Sequence, residues 1–462
     1  MIDRIRITLD KLQQSNITRH VVTLGLGSFV SQLIPIAASL ILSRIYSPKA
    51  YGDWGIFVSY TGILIVLVSG KYELAILRPS RKVGALNLVV LSTLLAFTGS
   101  FCFYLLLYLL CFLMPEIIIP GLNYLPLYVF MTCLIQIYNG YANRTEQYDA
   151  IARSSISRSL SQAGSRIILG GLRYESGLII GALLGTIAGI WSFVKKIHII
   201  RDIQRSFSFR YMCQLAHVYR YFPFFQMPSA LLNSLSTNLP LILMALYFNK
   251  DQIGCFSMAI TLLYLPVTLI SNSLGQIFYK KASDWPPEDT AKLAHKFLKL
   301  TFPIGLVMSL FLIWGGEHLL GFLLGNLWST TGLYAAYLSP WIWLILCFSP
   351  LGMIFDALDK QKTEMILNIC LFVSRIVVII AGGSLLAAHQ TILLYGVVGT
   401  ILWSLEGYII YRLIGIRITT REKRFAFIFI SIVLLSWSIK IWYTFSLTII
   451  GAIPGVHTLR KK

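Results

Sequence analysis

This chain carries little charge. Only 13% of its 462 residues are charged, while 56% are hydrophobic. Soluble domains carry about 25% charged residues, so the composition excludes a soluble globular protein and leaves a membrane protein. Acids are the scarcer sign, with 19 Asp and Glu against 39 Lys and Arg. Paired cysteine motifs are absent. The seven cysteines (positions 102, 111, 133, 213, 255, 347 and 370) form no CxxC, which excludes a metal site or a disulfide framework and leaves small hydrophobes. Nucleotide signatures are absent as well. The one GxG is GLG at 25–27, inside an apolar run, and no GxxxxGK[ST] occurs, so neither nucleotide nor another cofactor is expected. Large outer loops are also lacking. The longest expected one, between Gly315 and Ser339, is about 24 residues and half apolar, which excludes a separate extramembrane domain. The charged start MIDRIRITLDKLQQSNITRH precedes a 23-residue run from Val21 to Ser43, too long for the apolar core of a signal peptide. That run reads as an uncleaved first membrane helix.

A membrane helix needs about 20 mostly apolar residues. Runs of that kind fall near 21–43, 54–70, 84–113, 124–141, 155–172 and 177–194, then 222–247, 254–278, 297–315, 339–357, 365–385 and 391–414. A last apolar region, 425–453, fits one helix or a short hairpin around Lys440. The expected fold is an all-α polytopic membrane protein with 12 core helices in two six-helix lobes, 21–194 and 222–415. A cytoplasmic segment 1–20 precedes them, a basic cytoplasmic linker 195–221 joins them, and a C-terminal region 416–462 adds one or two helices.

With a cytoplasmic N-terminus, the inner segments hold 29 Lys and Arg, six of them between Lys195 and Arg220. The outer loops hold four: Arg44, Lys49, Arg173 and Lys250. The positive-inside rule therefore sets the topology. It also accounts for the net charge of +20 as anchors facing anionic lipid, not as a nucleic-acid surface.

Two stretches repeat a theme. QAGSRIILGG (162–171) and FVSRIVVIIAGG (372–383) align at an offset of 209, which also places Arg153 on Lys362. IYSPKAYGDW (45–54) parallels YFNKDQIGCF (247–256) at an offset of 202. Six helices duplicated as six give a parallel repeat about an axis along the membrane normal, an architecture of transporters with sites between the halves.

Arg166 and Arg375 fall near the middle of the fifth and eleventh runs. An arginine at a helix centre costs about 2.5–3.5 kcal/mol unless it faces water or an anion. Ser155, Arg158, Ser159, Gln162, Arg166 and Arg173 share one helical face, and Glu364, Asn368 and Arg375 form a similar stripe. Such stripes are expected to line a water-filled, anion-facing cavity. The plainer alternatives are that Arg158 and Arg173 snorkel to the interfaces and that a buried acid neutralises Arg375. Gln32 on the first run, Asn233 and Asn238 on the seventh and Asn272 on the eighth are suited to hydrogen-bond sugars or, alternatively, to join helices. Prolines at 223, 228, 240 and 266 would permit bending or mark static kinks. Acids are scarce at midspan, so an anionic cargo is expected before a cationic one; Glu406 and Glu73 are the candidates for a coupling ion.

SRIYSPKAYGDWGIFVSY, YLPLYVFMTCLIQIYNGYANRTEQYDAIARSSISRSL and LLGNLWSTTGLYAAYLSPWIWL resemble the Wzx-type O-antigen flippases. These belong to the multidrug/oligosaccharidyl-lipid/polysaccharide exporter superfamily. The likeness covers most of residues 20–415. It implies two six-helix lobes around a cationic central cavity in a bacterial inner membrane. It also implies a cargo: an oligosaccharide repeat unit on undecaprenyl diphosphate, moved from the cytoplasmic to the periplasmic leaflet for lipopolysaccharide biosynthesis. A polysaccharide polymerase and a chain-length regulator are the protein partners it implies. Arg44 matches a position commonly filled by Arg in that family, which implies a gate or headgroup role; an interface anchor is the alternative. Proton or sodium coupling is likewise implied. The competing classes are a cation-coupled drug exporter of the same superfamily and a membrane polymerase or glycosyltransferase. The last would need outer carboxylates, and this chain offers mainly Glu116, Glu175, Asp251 and Glu317. No enzymatic role is expected.

Overall fold

The computed structural model describes residues 16–114, 119–196, 199–284, 287–352, 354–355, 358, 360–415 and 431–442. The expected segment 1–20 and the C-terminal region therefore lie largely outside the described residues, as does the side chain of Asn272. Among the described residues there are helices and turns and no strand.

Among the described residues twelve helices have 20 or more residues. In chain order the first are α1 (Asn16–Ile45), α2 (Pro48–Ser69), the single turn α3 (Tyr72–Ala75), α4 (Lys82–Leu113), α5 (Leu125–Arg144), α6 (Tyr148–Gly171) and α7 (Gly177–Lys196). The basic linker folds as two short helices, α8 (Ile199–Ser206) and α9 (Phe209–Val218). Then follow α10 (Met227–Tyr247), α11 (Lys250–Asp284), α12 (Pro287–Leu324), α13 (Ser329–Phe348), α14 (Gln361–Leu385) and α15 (Ala388–Ile414). A shorter apolar helix, α16, spans Ser431–Trp442.

Eight of these helices are long and apolar enough to cross a membrane, and the chain is an all-α polytopic membrane protein. Each of the twelve expected runs up to 414 overlaps one long helix. The other four long helices are α1, α5, α6 and α11, and α6 is the most polar of them.

Local chemistry sets several boundaries. Ser47 accepts a hydrogen bond from Ala50 N ahead of Pro48, a capped start with proline in the first turn. Asn249 Oδ1 accepts from Gln252 N at 2.9 Å, the same cap 202 residues later. Gly70 (φ 55°) ends α2 in the left-handed region.

One expected boundary moves. The 24-residue outer loop after Gly315 is not a loop: α12 continues to Leu324 and α13 begins at Ser329, ten residues before the expected start of the tenth span. Two contacts explain it. A Cβ on Gly316 would sit 3.1 Å from the Gly332 carbonyl oxygen, so the two helices touch backbone to backbone. Trp328, fully buried, closes the turn between them. Polar Ser329, Thr330 and Thr331 hid this helical start from a reading by hydropathy.

The chain divides into two compact units, Met1–Gly254 and Cys255–Lys462. This is a division by packing and assigns α10 to the first unit; the division at the linker 195–221 is one drawn by sequence repeat.

Candidate functional site

The polar face of α6 meets a spine of glycines on α7. Gly177, Gly181, Gly185 and Gly189 recur every four residues, so they share one face of the helix. A Cβ on Gly181 would lie 3.1 Å from Arg166 N, and one on Gly185 would lie 2.8 Å from the Arg158 carbonyl oxygen. This closeness lets α6 serines reach α7 carbonyls. Ser154 Oγ donates to Gly189 O at 2.9 Å, Ser157 Oγ to Ala188 O at 3.3 Å and Ser165 Oγ to Gly181 O at 3.2 Å. On the other side Ser159 Oγ donates to Ser31 O of α1 at 2.8 Å. These serines, of which only Ser159 belongs to the expected stripe, bind helix to helix.

Arg166 sits at the centre of this contact and is only 8% exposed. Its Nε donates to Leu178 O at 3.0 Å. With the Gln162 carboxamide turned to present its oxygen, that oxygen accepts from Arg166 Nη1 at 3.0 Å and Nη2 at 3.1 Å. The guanidinium carbon lies 4.2 Å from the centroid of the Trp54 ring. Trp54 itself packs with Phe57 and Tyr128, and Tyr46 donates its hydroxyl to the Arg166 carbonyl at 2.9 Å.

Arg375 has the same kind of bed. Its guanidinium carbon lies 5.5 Å from the Trp341 ring centroid, and Trp341 makes edge contacts with Tyr264 and Tyr395. Here the arginine is half-buried, at the rim of a narrow crevice that also involves Ser374 and Gly399. Glu406 on α15 is buried, and the charges whose fields reach it are Glu364 and Arg375. The structure therefore places Arg375, Glu364 and Glu406 in one electrostatic group.

The remaining expected residues are dispersed. Arg44 and Asn233 are exposed, Arg158 and Gln32 are half-buried, and Asn368 is exposed on α14. Asn238 Nδ2 donates to Ser234 O at 2.9 Å, while Ser234 Oγ donates to Gly62 O at 2.8 Å, so this pair ties α10 to α2. Glu73 is buried beside Lys71, whose Nζ is 3.4 Å from Oε1. Among the described residues no group of three or more His, Cys, Asp or Glu could hold a metal.

The repeat motifs meet in space. Gly52 and Gly254, equivalent at the 202 offset, abut: a Cβ on Gly254 would lie 2.9 Å from Gly52 N. Beside them Lys250 Nζ is 2.7 Å from Asp53 Oδ1.

Sequence reasoning missed the Trp54 and Trp341 beds, the glycine spine and a part-buried ion pair between Lys440 and Glu317 at 2.7 Å. The spine was readable in GLIIGALLGTIAG (177–189); the tryptophans lay inside the very stretches that carried the family resemblance.

Comparison with known proteins now adds the family. Residues 41–332, well over half of the chain, match the model of a family described as polysaccharide biosynthesis protein. The chain belongs to that family. Among solved structures it is similar to a multidrug resistance MATE family transporter of the MOP superfamily in its inward-facing conformation. That pair has a TM-score of 0.62 and 14% identity, over 86% of this chain and 98% of that one. It is also similar to the lipid II flippase MurJ in an inward closed conformation, with a TM-score of 0.60 and 15% identity over 93% and 100% of the two chains. A MOP superfamily transporter from Pyrococcus furiosus gives 0.54 and 13% identity over 86% and 95%. These likenesses show that the polysaccharide-biosynthesis family member has the fold of MOP superfamily transporters. Curated proteins offer no match.

Proposed function

We propose that this protein flips undecaprenyl-diphosphate-linked oligosaccharide repeat units, of O-antigen or a related glycan, from the cytoplasmic to the periplasmic leaflet of a bacterial inner membrane by alternating access. The observation that carries this reading is a family of polysaccharide biosynthesis joined to a transporter fold. Support comes from the cationic character of the spans. Each unit carries guanidinium forks of the kind that bind a diphosphate bidentately: half-buried Arg158 and exposed Arg44 in the first, and half-buried Arg375 on its aromatic bed in the second. Gln32, Asn233, Asn238, Asn272 and Asn368 are the sugar contacts in this reading, and Arg166 positions α6. The N-terminus is cytoplasmic, so the linker helices α8 and α9 face the cytoplasm. A polysaccharide polymerase and a chain-length regulator receive and extend the exported units.

The test is cellular. Loss of the gene should deplete surface polysaccharide and accumulate lipid-linked units on the inner leaflet. Normal surface glycan with no accumulation would sink the proposal. A second reading, a cation-coupled drug exporter, rests on buried Glu406, a carboxylate of the kind a cationic cargo requires. Drug susceptibility that rises on gene loss, with surface glycan intact, would favour it.

A further inference from the structure

The linker helices α8 and α9 run down the first turns of α4 and back. Asp202 on α8 lies 2.6 Å from Lys82, the first residue of α4. Farther along α4 the fully buried Asn87 holds both sides of the break between the linker helices. Its Nδ2 donates to Ser206 O at 3.0 Å, and its Oδ1 accepts from Ser208 N at 3.0 Å. The chain then returns: a Cβ on Gly84 would lie 3.3 Å from the Tyr211 hydroxyl oxygen. Met212 and Leu215 are buried in the apolar cluster that includes Leu86 and Val89 of α4, and Tyr72 donates to Ala216 O at 2.9 Å. The tip of this hairpin, residues 206–209, therefore stands beside Asn87, about 7.5 Å along α4 from Lys82 at 1.5 Å per residue.

Depth follows from length. The 32 residues of α4 span about 48 Å, more than the roughly 30 Å of hydrocarbon and enough for the whole bilayer of about 40–45 Å. Its first turns thus stand in the headgroup layer, and a hairpin packed along Lys82–Asn87 stands there too. A helix break frees backbone groups where water is scarce, and Asn87 supplies both missing partners. The outward side chains suit that layer. Phe207 and Phe209 at the tip are 46% and 67% exposed. Arg201 and Arg205, one turn apart on α8, and Arg210 on α9 are exposed as well. Outward aromatic residues beside outward arginines are the composition of an interfacial helix. Residues 195–226 contain a single acid, Asp202, and Lys82 already pairs with it. Just before the linker, exposed Trp191 carries the Lys195 ammonium 5.4 Å from its ring centroid, a pair typical of the membrane–water interface.

We propose that α8 and α9 form an interfacial hairpin that binds anionic phospholipid of the inner leaflet. Phe207 and Phe209 enter the margin of the acyl chains, and Arg201, Arg205 and Arg210 pair with lipid phosphates. The leaflet rests on the cytoplasmic placement of the linker given above. Phosphatidylglycerol fits better than phosphatidylcholine, whose own ammonium group opposes the arginines. An acidic soluble protein fits less well, since it would leave the two phenylalanines at a depth it does not reach.

Native mass spectrometry of the full-length protein, in detergent with equal amounts of phosphatidylglycerol and phosphatidylcholine, tests this. The wild type should retain phosphatidylglycerol in preference. Combining Arg201→Gln, Arg205→Gln and Arg210→Gln should lower its occupancy at least about tenfold and leave phosphatidylcholine unchanged. The three sites are exposed, so the variant should fold. A charge-matched control on α12, with exposed Lys292, Lys296 and Lys299 each changed to Gln, should lose less than about twofold. Equal loss in the two triple variants, or no loss in the first, overturns the proposal. For the tip, a benzoylphenylalanine photocrosslinker replacing Phe209 should capture lipid in membranes. Capture of protein alone, or of nothing, overturns insertion of the tip. Retention is read without transport, so normal surface glycan on gene loss would sink the flippase reading and leave this result standing, and the reverse holds equally.

Discussion

The two arginines of the SRI triplets answer one physical problem in two ways. Both place a guanidinium over a tryptophan, at 4.2 Å for Arg166 and 5.5 Å for Arg375. In the first unit the neighbouring helix brings its glycines to the arginine helix, so α6 and α7 close around Arg166, and Leu178 and Gln162 accept from its nitrogens. In the second unit the glycines of α15 face elsewhere. Gly396 and Gly399 abut Tyr337 and Trp341 of α13, so the close packing secures the tryptophan and not the arginine. Arg375 keeps a half-exposed head and shares its field with Glu364 and Glu406. A repeated motif thus fixes the aromatic bed, while the placement of small residues decides whether the neighbouring helix closes over the cation or leaves its head half-exposed.

Substitution of the two arginines should expose that difference most strongly. Arg166→Leu should destabilise the protein by roughly 3 kcal/mol, because buried acceptors lose their donors; this would be read as a lower midpoint in thermal unfolding in detergent. Arg375→Leu should leave that midpoint nearly unchanged but reduce complementation of surface glycan at least tenfold, about 1.4 kcal/mol of lost headgroup interaction. Equal behaviour of the two variants would erase the distinction. Next in size, Gly181→Val should cost about 2 kcal/mol by overpacking against Arg166, whereas Gly164→Val, where a Cβ meets nothing within 4 Å, should be tolerated. Proteolytic resistance would separate them. Replacing the beds tests the shared part: Trp54→Phe and Trp341→Phe should each cost about 0.5–1 kcal/mol of cation–π attraction, with stability falling in the first and transport in the second. Smallest of all, Lys250→Met should shift the unfolding midpoint by less than about 1 kcal/mol, since the Lys250–Asp53 pair is partly exposed.

Most of the helical frame was legible in the sequence because hydropathy over about 20 residues is a strong signal. The polar helices were legible too, since α6 keeps SSISRSLSQAGSR between clear apolar neighbours. The start of α13 was not, because Ser329, Thr330 and Thr331 are all polar, although Thr331 is fully buried. Functional residues were harder. Side-chain type identified Arg166 and Glu73 as unusual, but only packing tells that Arg166 is saturated by Leu178 and Gln162 while Glu73 has the Lys71 ammonium at 3.4 Å and no hydrogen bond. Asn238 read equally as sugar ligand or helix tie, and its bond to Ser234 is local information that no periodicity contains.

The part-buried pair of Lys440 with Glu317 has a bearing on biogenesis. The partners are 123 residues apart, and Lys440 is the more enclosed, with its side chain 8% exposed. During synthesis the carboxylate on α12 is made long before its cation, and a lone charge is poorly tolerated in an apolar bundle. The second unit therefore completes its electrostatics only when α16 arrives. The enclosed member is the ammonium, so Lys440 enters a bundle in which its half-exposed carboxylate partner already stands.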